Sequence, residues 1–346
     1  MTIAVAVSGG MDSLLSLVLL KEQGHDIMAV HGHFLPPSPD SKRVADGLVQ
    51  ACSTLGVTFY ALDLHEAFDA CVVSPFARDY RAGLTPNPCA MCNLHMKFDL
   101  LFEAARKLGA DRMATGHYVG FEECEGMGSM LVSAADASKD QSYFLCLVPI
   151  DILRQARFPL AGVHKKDVLA LLAENGLKPP LSKESQEICF VPDDDYHAFL
   201  ENRQPMPGGG QAVLSNGTVV GRHKGLWRYT HGQRRGLALP WKEALYVLDK
   251  DVVANRLVVG PKSELESREC VAGHVNLMVG MDRWPEVVML QTRYRKKVIP
   301  SRVEIRDGKL VFCFLEPNEK PTPGQVAAVY TEAGIVLGGG IIEKTS

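Results

Sequence analysis

An apolar run at residues 3–7 leads directly into SGGMDS at residues 8–13, after which Leu14, Leu15, Val18 and Leu19 recur at helical spacing. Strand, glycine turn and helix in that order open a βαβ unit, the crossover that parallel strands require. Gly9 and Gly10 let the backbone approach a ligand, and the free amides of a helix N-terminus, with the Ser8 and Ser13 hydroxyls, suit phosphate oxygens. The segment is an anion cradle without the Lys of GxxxxGK[ST] or the spacing of GxGxxG. The cadence continues: a helix over 13–23 closed by Gly24, strand 27–30, helix 43–55, strand 57–62, helix 95–108 and strand 112–115. This predicts an α/β fold on a parallel sheet, with three strand-to-loop junctions converging at the sheet edge where ligands bind.

Beyond Pro192 the pattern changes. Asp193, Asp194 and Asp195, then PMPGGG at 205–210, read as a connector. Short strand-like runs follow at 219–220, 245–248, 256–259, 287–291, 303–305, 310–315 and 326–330, with turn signals such as Asn216-Gly217 and Asp307-Gly308 between them. The second half is therefore expected to be β-rich. The net charge of -3 conceals an asymmetry: residues 1–202 hold 16 basic and 26 acidic side chains, or -10, whereas 203–346 hold 21 and 14, or +7. Such a split points to a polyanion-binding region in the second half. A composition of 46% hydrophobic and 22% charged residues excludes a disordered chain. No apolar run approaches the ~20 residues of a membrane span, and no secretory leader is evident, so a cytoplasmic protein without membrane partners is expected. Nine cysteines, an odd number without dense spacing, should be mostly free thiols.

Among those thiols, Cys89 and Cys92 lie in TPNPCAMCN at 85–93, and Cys189 in SQEICF at 185–190. C-x-x-C alone suits a redox pair, half a zinc site or part of an iron–sulfur site. Cys92 is expected near a helix start, where the dipole lowers a thiol pKa, with Lys97 and Lys183 as cations nearby in sequence. In TGHY at 115–118, Gly116 permits close approach of an adenine or ribose and His117 can meet substrate. KDQSYF at 139–144 sets Lys139, Asp140 and Gln141 beside aromatics. RHKGLWRYTHGQRR at 222–235 has five basic residues, including Arg234 and Arg235, no acid, and Trp227 and Tyr229 interleaved. Basic side chains meet phosphates and aromatic faces stack bases, the usual combination for RNA. RYRKK at 293–297 repeats the theme on an expected β segment.

Together SGGMDS, TPNPCAMCN, TGHY, KDQSYF, SQEICF, HGQRRGL, TRYR, and TPGQ followed by LGGGII resemble the tRNA-specific 2-thiouridylases, the MnmA family, in one order from residue 3 to residue 343. SGGxDS is also the pyrophosphate loop of ATP enzymes that release AMP, in which Asp12 would help hold Mg²⁺ and the triphosphate. The resemblance implies a pyrophosphate-loop ATPase domain (1–192), a small central tRNA-binding domain (193–262) and a C-terminal β-barrel (263–346). It implies conversion of the C2 carbonyl of the tRNA wobble uridine to thiocarbonyl, with ATP and a protein persulfide supplied by a cysteine desulfurase or sulfur relay protein. Cys189 matches the persulfide carrier and Cys92 the catalytic nucleophile, the two ending as a disulfide that a reductant resets. Ala6, Val7, Ser8, Gly9, Gly10, Met11, Asp12, Ser13, Gly32 and Gly116 match nucleotide-binding positions, and Asn87, Pro88 and Cys89 the segment touching the target base. His117, Lys139, Asp140, Gln141, Arg293, Tyr294 and Gln325 match tRNA-contacting positions. The sequence departs from the family twice. HGHFLPP at 31–37 is compact where members often have a Met and a longer acidic loop, and position 89 is Cys where some carry Asp. The second departure makes Cys89, Cys92 and Cys189 a candidate ligand set for an iron–sulfur cluster.

Overall fold

The computed structural model describes residues 1–181 and 188–343. The interior run at the N-terminus forms β1 (Thr2–Ala6), with Ile3, Ala4 and Val5 wholly buried. Strands β2 (Asp26–His33), β3 (Thr58–Asp63) and β4 (Arg112–Thr115) follow, then a hairpin of β5 (Val119–Cys124) and β6 (Gly128–Ser133), and the two-residue β7 (Ala156–Arg157). The five-stranded sheet runs β3-β2-β1-β4-β7, every pair parallel. The chain travels outward from β1 to β3 and then returns to β4 on the other side of β1. That reversal opens a crevice at the carboxyl ends of β1 and β4. Helix α1 (Met11–Glu22) packs Leu14, Leu15, Leu17 and Val18 against the sheet. Helix α2 (Pro39–Leu55) starts from a reciprocal Ser38–Ser41 capping box with Pro39 in its first turn, and ends at Gly56 with φ 62.

Two helical runs unlike these pack near the crevice. Residues 65–81 and 88–107 each begin and end as α-helix but widen to π-helix over Asp69–Val73 and Cys92–Leu101. Asn87 caps the second run, its Oδ1 accepting from the Ala90 amide at 3.1 Å. Cys92 therefore lies more than one turn inside the helix, not at its start.

In the second half, β8 (Gln211–Leu214), β9 (Val219–Arg222), β10 (Tyr246–Asp251) and β11 (Arg256–Gly260) form a sheet in the order β10-β11-β8-β9. Strands β12 (Glu266–Leu277), β13 (Val288–Gln291), β14 (Ile299–Arg306), β15 (Lys309–Glu319), β16 (Val326–Tyr330) and β17 (Val336–Ile342) close into a barrel ordered β12-β15-β14-β13-β16-β17. Closure leaves no edge strand to protect. The barrel is not a loose appendage: Val326, Ala328, Tyr330 and Val336 share one core with Tyr143, Leu145, Cys146 and Leu147 of the first half. The architecture is the expected parallel-sheet α/β unit, small central unit and C-terminal β-barrel. One placement differs: Arg293–Lys297 lies in the turn between β13 and β14 rather than on a strand, with Arg295 at φ 61. Among the described residues no helix is long and apolar enough to cross a membrane.

Candidate functional site

The loop after β1 is stiffened by its own side chains. Ser13 Oγ accepts from the Ser8 amide at 3.0 Å and donates to the Gly10 carbonyl at 3.0 Å, while Ser8 Oγ lies 3.2 Å from it. Gly9 has φ 89, and a Cβ there would sit 2.5 Å from Val44 Cγ1. At Gly116, just after β4, a Cβ would sit 2.7 Å from the Ser13 nitrogen and 2.8 Å from the Asp12 carbonyl carbon. The two strand ends thus touch backbone to backbone, which only glycine permits. On the far side the Val7 amide donates to Val30 and His31 Nδ1 meets the Val7 carbonyl at 2.7 Å, which sets Gly32 along the same edge. Ala6 through Ser13, Gly32 and Gly116 therefore share one rim. The open amides of α1, with no side-chain cap at Gly10, fit phosphate oxygens.

Lys165, which no sequence pattern singled out, completes this rim. Its ammonium contacts both Asp12 carboxylate oxygens, at 2.7 and 2.5 Å, and Tyr118 donates to Oδ1 at 2.7 Å. The Lys absent from the loop arrives from 153 residues away. Its HKKD context offers no spacing signal, and only the fold reveals it.

The second cluster is built of thiols. Cys89 and Cys92 lie on the 88–107 helical run, and Ile188 and Phe190, on either side of Cys189, pack in one core with Cys92, Phe68 and Phe76. All are free cysteines, with Cys89 and Cys189 open to solvent on one side. Burial of the sulfur raises the Cys92 thiol to about 12, and also raises Cys89 and Cys189; the Lys97 ammonium pulls all three down. The expectation of a helix dipole lowering Cys92 is thus overturned, because desolvation inside the helix outweighs it. Lys183 and the 185–187 part of SQEICF lie outside the described residues. Among those described, no three His, Cys, Asp or Glu side chains are disposed to hold a metal ion, so Cys89, Cys92 and Cys189 do not form the expected iron–sulfur ligand set.

Residues 1–193 match the family described as tRNA methyl transferase HUP domain, 197–261 the tRNA methyl transferase PRC-barrel domain and 267–342 the aminomethyltransferase beta-barrel domain. The tRNA-specific 2-thiouridylase MnmA of Nitratidesulfovibrio vulgaris (strain DSM 19637 / Miyazaki F) is 50% identical, covering 99% of both chains. This chain belongs to the MnmA family. Family members from Oleidesulfovibrio alaskensis and Lawsonia intracellularis are 49% and 42% identical, again over 99% of both chains.

Within this MnmA-family chain the remaining positions divide into structural and exposed groups. His117 is buried, with Nδ1 2.8 Å from Thr115 Oγ1 and Nε2 3.5 Å from Lys97 Nζ. An ammonium only donates, so Nε2 accepts and the ring is the Nδ1–H tautomer; burial holds it neutral, its pKa well below the usual histidine value. Gln141 accepts from the Tyr118 amide at 3.0 Å and Asp140 from Ala134 and Ser142, so both brace the β5–β6 hairpin. Lys139 sits beside them, half-buried. Asn87 and Pro88 are buried in the helix cap. Gln325 Nε2 donates to the Thr85 and Pro86 carbonyls at 2.8 and 3.2 Å, so the barrel grips the loop leading to Cys89. Tyr294 packs at a tilt of 46° against Phe144, ring centroids 4.5 Å apart, which brings the TRYR turn to KDQSYF, and Arg293 is exposed. Arg234 and Arg235 are exposed. Trp227 and Tyr229 are not available to stack bases: they are 2% and 5% exposed, with Trp227 Nε1 donating to Pro207 at 3.0 Å. Their aromatic area proves to be core.

Proposed function

We propose that this chain is a tRNA 2-thiouridylase that uses ATP to activate the C2 carbonyl of the wobble uridine and a persulfide to replace its oxygen by sulfur, releasing AMP and pyrophosphate. The observation that supports this reading is a chain of contacts: Lys97, which faces Cys89, Cys92 and Cys189, lies 3.5 Å from His117, next to the Gly116 whose backbone abuts Asp12 and Ser13. ATP supplies the adenylyl group that makes the uracil oxygen a leaving group. The residues present fit it: the Gly9 and Gly116 approaches leave backbone where a side chain would intrude, and Asp12 offers a carboxylate to Mg²⁺ beside Lys165. Ser8 to Ser13 would bind the phosphates, with Lys165 as the cation this loop lacks.

In the sulfur step, the outer sulfur of a Cys189 persulfide adds to C2 and the AMP oxygen departs with its electron pair. The Cys92 thiolate then attacks Cys189 Sγ, the S–S bond to the transferred sulfur breaks, and that sulfur keeps the electron pair as the thiocarbonyl. A Cys92–Cys189 disulfide remains, which a two-electron reductant returns to thiols. Such chemistry suits the reducing cytoplasm, with a cysteine desulfurase or relay protein as donor. We assign nucleotide and sulfur chemistry to residues 1–192, and tRNA capture chiefly to 193–262 and 263–346, where Arg234, Arg235 and Arg293 are exposed. The test is mass analysis of nucleosides from tRNA incubated with the protein, ATP and a persulfide donor. Absence of 2-thiouridine with folded protein would sink the reading, and Cys92→Ser and Cys189→Ser should each abolish the product.

A further inference from the structure

In the π-helix Cys92–Leu101 each amide bonds to the carbonyl five residues back, instead of four. The wider turn brings positions five apart toward one face, so Lys97 shares a face with Cys92, which an α-helix would not allow. From there the ammonium lies 3.5 Å from His117 Nε2 at the end of β4. The groups that face it are Cys89 and Cys92 from its own helical run, Cys189 from the 188–190 turn, and His117. Among the described residues no carboxylate pairs with Lys97. Among the described residues, this half-buried ammonium is flanked by a neutral imidazole and neutral thiols, so ionisation of one of those sulfurs would give it an anionic neighbour and offset its desolvation.

We propose that Lys97 is the positioning cation of sulfur transfer, its ammonium stabilising the sulfur anion first on the Cys189 side and then on Cys92, while neutral His117 holds it between them. The inference rests on the thiouridylase reading and deepens it. Each ionisation is loss of an S–H proton to solvent with no change of oxidation state, first from the outer sulfur of the Cys189 persulfide and then from the Cys92 thiol, so one cation serves both in turn. His117 acts here as an acceptor that orients Lys97, which explains why a buried ring beside an ammonium must stay uncharged.

The test needs neither ATP nor tRNA. Reduced full-length protein is alkylated with iodoacetamide across about pH 6.5 to 10, and each cysteine peptide is quantified by mass spectrometry, because the rate follows the thiolate fraction. Lys97→Met should slow Cys92 and Cys189 about tenfold at neutral pH, equivalent to a rise of about one pH unit in their profiles. Lys97→Arg should restore most of the rate, which a merely structural role would not require, and exposed Cys313 on the barrel should not change. If Lys97→Met fails to fold, Lys97→Gln is read in its place. Identical Cys92 and Cys189 profiles in the wild type and in the folded neutral variant overturn the proposal. Shifted profiles in a protein that makes no 2-thiouridine would leave the cation role standing and remove the thiouridylase reading; unshifted profiles in an active protein would do the reverse.

Discussion

Replacing Gly116 by Ala tests the close approach of the β1 and β4 loops directly. The backbone at Gly116 is outside the left-handed region, so an L side chain meets no conformational objection and the cost is contact alone. The new methyl would lie 2.7 Å from the Ser13 nitrogen and 2.8 Å from the Asp12 carbonyl carbon. Ordinary contact is about 3.5–4.0 Å, so the start of α1 must retreat by roughly an ångström. Overpacking of this size costs about 1–3 kcal/mol, and about 0.4–1 kcal/mol returns through the stiffer unfolded chain. A melting temperature lower by about 2–4 °C per kcal/mol is expected. On the proposed reading, function should suffer more than stability, because the same movement displaces the amides assigned to phosphate binding. Losing one charge-assisted bond weakens ATP binding by about 1.5–3 kcal/mol, roughly 10- to 150-fold. Isothermal titration with MgATP reads the affinity and calorimetry the melting point. Gly162→Ala, where nothing lies within 4 Å, is the control. Wild-type affinity and melting in Gly116→Ala would refute the backbone contact and the phosphate role built on it.

Gln325→Leu strips two hydrogen bonds from the Thr85 and Pro86 carbonyls, a loss of about 1–3 kcal/mol that should loosen the Cys89 loop. 2-Thiouridine turnover should fall with ATP affinity intact, and parallel loss of both would contradict the local clamp. Neutralising Arg234 and Arg235 with Gln should flatten the log–log salt dependence of tRNA binding by about 1–2, measured by filter binding; an unchanged slope removes them from the interface. His31, His117, His197, His223 and His231 are all held below the ordinary histidine pKa, chiefly by burial. Below about pH 6.5 the unfolded chain then binds more protons than the folded one, so stability is full above that pH and declines as pH falls toward the folded values. The melting temperature should drop between about pH 7 and 5.5, less steeply in His117→Gln, and a flat profile would contradict the buried neutral rings.

Local signals carried the first half well because β1, α1 and the glycine loop are contiguous in sequence, and burial on both faces leaves β1 an uninterrupted apolar run. The run at 65–81 was not legible: its π-turn shifts the apolar spacing away from the α-helical period. In the barrel, β16 fell where its apolar run predicted, whereas the twelve-residue β12 opens with charged Glu266, Arg268 and Glu269, mixes small, polar and apolar residues beyond them and carries register shifts, so it gave no compact signal. The rim was readable from Ser8 to Ser13 and at Gly116, but Lys165 was not, because its meaning lies in a distant partner. Trp227 and Tyr229 show the opposite failure: residue type suggested stacking, and burial decided otherwise. At Cys92 the chemistry depended on depth inside the helix, which sequence spacing does not encode.

The grip of Gln325 and Gly324 on Thr85 and Pro86 spans some 240 residues of chain. At ribosomal rates of about 5–20 residues per second, roughly 12–48 s separate the emergence of the loop from that of its clamp. The parallel sheet can assemble early in that interval, yet the cysteine loop has its final support only when β16 has been made. A chain cut short before β16 would have the proposed nucleotide rim in sequence but would leave the Cys89 loop without the two hydrogen bonds that Gln325 gives it.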